Sequence, residues 1–105
     1  MDEREYVRRL LEAYRATPGT CGVMRRPDRL LAGQLYERGV PLIAVENALA
    51  LAAVRRIIRP DGAAPLAPVR SLAYFLPVID EVLATDVNPA YYQHVRNQLQ
   101  RLTAR

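Results

Sequence analysis

Apolar residues in this chain recur at three- and four-residue spacing, and no segment alternates long enough for a convincing strand. Tyr6, Val7, Leu10, Leu11 and Tyr14 make the first stripe and predict an amphipathic helix over Asp2 to Ala16. Asp2, Glu3 and Glu5 fall in its first turn, where the helix dipole favours acidic groups. Thr17-Pro18-Gly19 stops it. A loop over Thr20 to Arg26 leads to Pro27, which suits the first position of a second helix. That helix runs to Arg38, with Leu30, Leu31, Leu35 and Tyr36 as its buried face. Gly39 then stands where a left-handed cap belongs.

Pro41 restarts the chain as a third helix, which runs to about Arg59 and ends at Pro60-Asp61-Gly62. Leu42, Ile43, Val45, Leu49, Leu51, Val54, Ile57 and Ile58, with alanines between them, make it apolar nearly all round. That pattern belongs to a central helix covered on several sides. Gly62 to Pro68 predicts a surface linker. Leu72, Phe75, Leu76, Ile79 and Leu83 form a further stripe, but Pro77 removes a backbone donor inside it. Ser71 to Phe75 therefore reads as a tight turn capped by Ser71, with the helix proper starting at Leu76. Asn88-Pro89 starts a last helix that buries Tyr91, Val95, Leu99 and Leu102. The expectation is a single all-α domain over residues 1–105, a compact bundle of about five helices.

The helix, glycine and second helix around Gly39 have helix-turn-helix-like spacing. In DNA readers of that design the second helix occupies the major groove. Here it is expected to expose Ile43, Ala44, Glu46 and Asn47, with one base reader and no arginine in its first two turns. A hairpin that packs, rather than one that reads bases, fits better.

Composition removes several function classes. Half the residues are apolar and a quarter charged, as in ordinary soluble globular proteins. The most apolar stretch, Val40 to Val54, is interrupted by Glu46 and Asn47 and is too short for a membrane span. The charged start Met1-Asp2-Glu3-Arg4-Glu5 has no signal-peptide core behind it, so the expected location is cytoplasmic, with no membrane partner. One cysteine (Cys21) and one histidine (His94) give no disulfide and no zinc set. Asp80 and Glu81 are adjacent, so on a helix they point about 100° apart and cannot face each other as acid and base. With no phosphate-binding glycine loop and no metalloprotease motif either, the expectation is a non-enzyme without metal or cofactor.

Charge adds one positive indication. The net charge is +4, and all fifteen basic residues are arginine. A GC-rich genome produces that bias, but its physical result is a set of forks suited to phosphate and carboxylate. Arg55, Arg56 and Arg59 close the third helix, and Arg70 precedes the Ser71 turn. If these places meet, they form a phosphate-binding patch, with Tyr74 as a ring for base stacking. The other reading is a set of helix-end cations paired with Asp61, Asp80 or Glu81.

Gly39-Val40-Pro41-Leu42, then Val45 and Ala48-Leu49, are followed after the linker by Arg70-Ser71-Leu72-Ala73-Tyr74-Phe75-Leu76-Pro77-Val78-Ile79. This arrangement resembles the helical domains of DnaD-type primosomal proteins and the C-terminal parts of phage and plasmid replication-initiation proteins. Phe75, Ile79 and Leu83 occupy the family's four-residue series, and the likeness covers Gln34 to Leu83. It implies a small DNA-binding accessory protein of replication or of a mobile element, with a replication or transposition protein as a further partner. The alternative, from a different class, is a protein–protein interaction adaptor that binds no nucleic acid. One contiguous arginine face favours the first; arginines scattered among carboxylates favour the second.

Overall fold

Each helical stripe of the sequence becomes a helix. They are α1 (Glu3–Ala16), α2 (Arg26–Glu37), α3 (Leu42–Ile57), α4 (Leu76–Ala84) and α5 (Pro89–Thr103). A 3₁₀ turn, Leu72–Phe75, precedes α4, as Pro77 at the start of that helix requires. The computed structural model describes residues 1–104. Among them there is no strand, only one isolated parallel bridge between Thr20 and Val69. The Cα radius of gyration is 13.8 Å, close to the roughly 13 Å of a compact chain this long.

Local chemistry sets the helix ends. The Asp2 carboxylate accepts the Glu5 N–H at 2.8 Å, and the Asn88 side chain accepts the Ala90 N–H at 2.9 Å. Gly39 has φ +74°, open to glycine and strained for other residues. Its N–H reaches the Tyr36 carbonyl at 2.9 Å, and the Val40 N–H reaches Leu35 at 3.1 Å. Both bonds of a left-handed helix stop are therefore present. Val40 is buried, and the Tyr6 hydroxyl donates to its carbonyl at 2.7 Å, fastening the turn to α1.

α3 is the central helix and packs against α1, α4 and α5. Its alanines are small enough for three neighbours to approach, and Val45, Ala48 and Leu49 lie at its buried heart. α2 packs on α1 and on the 3₁₀ turn and makes little contact with α3. The Tyr6 ring meets Tyr36 edge-on at 5.3 Å, and Tyr14 meets Phe75 at 6.0 Å, so α1 is joined both to α2 and to the turn.

Several expected details change. Leu30 is 56 % exposed, because the inner face of α2 is Asp28, Ala32 and Leu35, and Leu30 falls opposite it. On α5 the buried ring is Tyr92 rather than Tyr91, and Leu102 is exposed. A helix that packs on α3 alone buries a narrow stripe, here Tyr92 and Val95 with Leu99 half-buried. Leu83 is also exposed. Ala44 and Asn47, expected at the surface, are buried because α3 is covered on three sides. α3 ends at Ile57, two residues short of Arg59. The Ser71 side chain makes no cap; the Leu72 N–H is instead accepted by Asp28, 44 residues away in sequence.

Candidate nucleic-acid interface

The three arginines that close α3 do different things. Successive helical residues project about 100° apart, so Arg55 and Arg56 leave the helix in different directions. Arg55 turns to α4 and grips Glu81 with both arms, at 2.9 and 2.6 Å. That hydrogen-bonded fork holds the Glu81 carboxyl below its ordinary range and raises the Arg55 pKa. This is one of the carboxylate pairings the sequence allowed. Asp80 pairs with Arg38 instead, at 3.7 Å.

Arg56 turns to the linker. It donates to the Ala67 carbonyl at 2.7 Å and to the Tyr74 hydroxyl at 3.0 Å. Its guanidinium carbon lies 5.4 Å from the centre of the Tyr74 ring, within cation–π range. Its Nε also lies 3.3 Å from where a Cβ on Gly19 would stand. Arg59 donates to the Ala64 carbonyl at 2.5 Å. Together these two residues hold the linker over the end of α3. Tyr74 is 47 % exposed and rests edge-on against the buried Phe75 at 5.2 Å. Ala52, Arg55, Arg56, Leu66, Tyr74, Pro77 and Val78 line an open groove of about 380 Å³ beside it.

Arg70 lies on a short strap, Ala67 to Leu72, fastened at both ends. Arg56 holds Ala67. The Val69 N–H donates to Gly19 at 2.7 Å, and the Val69 carbonyl accepts the Cys21 N–H at 2.9 Å. At the far end the Leu72 N–H donates to Asp28 Oδ1 at 2.9 Å. Val69 turns inward and is 3 % exposed, while Arg70 is exposed to solvent. Five residue steps span at most about 18 Å, so Arg70 lies between the α3 arginines and the start of α2.

Arg56, bonded to Tyr74 and Ala67, thus meets the strap that carries Arg70, while Arg59 holds the linker just before it through Ala64. Arg55 borders the groove, but Glu81 occupies its fork. Sequence reasoning missed Asp28. This carboxylate is 2 % exposed, and its second oxygen accepts the Arg25 N–H at 2.8 Å. Its signal was an acid three residues into a helix start, the position from which a side chain reaches back to the helix entrance. Sequence reasoning also passed over Arg25, Arg26 and Arg29, which lie exposed around that same start. Among the described residues, two buried polar side-chain atoms have no hydrogen-bond partner, the Tyr14 hydroxyl and Asn47 Oδ1.

Among the described residues, no helix is long and apolar enough to cross a membrane. None of their His, Cys, Asp and Glu residues gather in threes around a space fit for a metal ion. No family model, curated protein or solved structure matches the chain.

Proposed function

We propose that this protein is a small, non-catalytic DNA-binding accessory factor that holds backbone phosphates along the strap. The observation that carries this reading is the attachment of Arg56 and Tyr74 to the strap on which Arg70 lies exposed. Arg56 bonds Tyr74 and Ala67, and Ala67 is three residues from Arg70. Arg59 and Arg70 supply guanidinium groups facing no carboxylate within ion-pair distance among the described residues. Arg56 places a third cation beside them, and Tyr74 offers an exposed ring on which a base can stack. Cations without acid partners attract a polyanion through counterion release, which needs no base reading. The binding face is the strap rather than α3, whose Asn47 is buried. The DnaD-type resemblance of Gln34 to Leu83 supports a role for this binding in replication or in a mobile element.

The adaptor reading rests on the Arg55–Glu81 pair and on Ile57, Ile58 and Leu66, which are exposed around the linker. Mobility-shift titrations over a range of salt separate the two. The expected result is binding to single- or double-stranded DNA that weakens steeply with salt. Arg59→Gln with Arg70→Gln should flatten the log–log slope by about 1.4–1.8, at roughly 0.7–0.9 per lost phosphate contact. The loss should be equal on all sequences. No binding at low salt with tens of micromolar protein would reject DNA and leave the adaptor.

A further inference from the structure

Three arginines stand at the wrong end of a helix. The N-terminus of α2 is the positive end of its dipole, which favours acids and opposes cations. Yet Arg25 caps this end, Arg26 is the first helical residue and Arg29 follows one turn on, all exposed. Arg26 and Arg29 project about 60° apart around the helix, and Arg25 precedes them in extended backbone. The strap adds Arg70, two residues before the Leu72 N–H that Asp28 accepts. Among the described residues, no carboxylate comes within ion-pair distance of any of the four.

The one acid at this helix start does not neutralise them. Asp28 points inward, and its two oxygens accept the Arg25 and Leu72 N–H groups. The Tyr14 hydroxyl is fully buried and has no hydrogen-bond partner among the described residues. Burial first, then the charges of Asp28 and Cys21, push its pKa up, while Arg25 opposes them. Four exposed cations around a positive dipole end, with the inward-facing Asp28 as the one acid of that first turn, run against the preference of a helix N-terminus for acidic groups. Such unbalanced places are where a ligand is expected to complete the balance.

We infer that Arg25, Arg26, Arg29 and Arg70 form a second phosphate-contact cluster, whose ligand is the sugar–phosphate backbone of a polynucleotide. This rests on the DNA-binding reading above and extends its face along the strap to the start of α2. A linear polyanion suits the layout better than a single phosphate. The two clusters lie at opposite ends of a strap at most about 18 Å long. That is roughly five steps of 3.4 Å along one B-form strand. Arg70, in the middle, belongs to both.

The test compares wild type, the Arg25→Gln/Arg26→Gln/Arg29→Gln triple variant and the Arg59→Gln/Arg70→Gln double variant. Labelled 20-nucleotide single strands and duplexes are titrated at several salt concentrations, with phosphatidylserine vesicles as a separate probe. The triple variant should raise Kd at least about tenfold at low salt and flatten the slope by about 2–3. It should melt at or above the wild-type temperature, because it removes cations that oppose the dipole. If wild type binds, the double variant weakens it and the triple variant does not, this inference falls while the DNA-binding reading stands. If wild type binds neither DNA form, both fall. Binding to the vesicles alone would overturn the polynucleotide as ligand. A triple variant that melts well below wild type would mark the arginines as structural and also overturn the inference.

Discussion

Asp28 is the only acid between Cys21 and Arg29, and its buried carboxylate ties two segments 44 residues apart in sequence. One oxygen holds the entrance of α2 through the Arg25 N–H; the other holds the entrance of the 3₁₀ turn through the Leu72 N–H. Hydrogen bonds to a charged group contribute about 1.5–3 kcal/mol each, and buried donors left without an acceptor cost about as much. Asp28→Ala should therefore destabilise the protein by about 2–4 kcal/mol in urea denaturation. Asp28→Asn should also destabilise, since an amide offers one oxygen to two donors and turns its NH₂ toward the second. A change below about 0.5 kcal/mol in both variants would mean that the carboxylate is not the tie described.

At the scale of elements, α3 sets the core and its partners set α3. Leu49 is 2 % exposed at the centre of that helix. Leu49→Ala should cost about 2–5 kcal/mol, a large share of the 5–15 kcal/mol typical of a small domain. A melting temperature within a degree or two of wild type would place Leu49 outside the core. The link between α3 and α4 has a pH signature. The Glu81 pKa is lowered in the fold by the Arg55 hydrogen bonds. A depressed carboxylate contributes stability above its unfolded pKa and loses it as pH falls through the folded value. Glu81→Gln should thus melt below wild type at neutral pH, with the gap closing in progressively acid buffers. A gap that stays constant with pH would remove the ion pair as its cause. Both groups are about half exposed, so added salt should narrow the gap as well.

For the whole molecule, the strap is the long-range connection. It crosses from the end of α3, past the loop after α1, to the start of α2, and so joins parts of the chain far apart in sequence. Arg56 is its anchor at one end, so this arginine is part of the fold as well as of the proposed phosphate face. Arg56→Ala should loosen the exposed stretch from Pro60 to Pro68 and speed limited proteolysis there severalfold, while Arg70→Ala should leave it unchanged. Equal cleavage of Arg56→Ala and wild type would show that the Ala67 and Tyr74 bonds do not hold the linker. Arg59 holds one linker carbonyl, Ala64, and the Arg70 side chain holds none among the described residues, so tests of phosphate binding disturb the fold less at these two than at Arg56.

The sequence by itself determined the helices and, to within a residue or two, where they stop. A three- and four-residue apolar spacing, an aspartate or asparagine before a helix, and a glycine able to take φ +74° act within one or two turns of chain. Pro77 likewise foretold the turn before α4, because a missing N–H is a local fact. Tertiary structure alone decided which of two adjacent tyrosines is buried. Tyr91 and Tyr92 differ by one helical step, and only the position of α3 distinguishes them. It also decided the partners of the arginines. Arg55, Arg56 and Arg70 look alike along the chain, yet they meet Glu81, Ala67 with Tyr74, and open solvent respectively. A guanidinium reaches whatever the fold brings within a few ångströms, and that neighbourhood is assembled from segments that no local pattern connects.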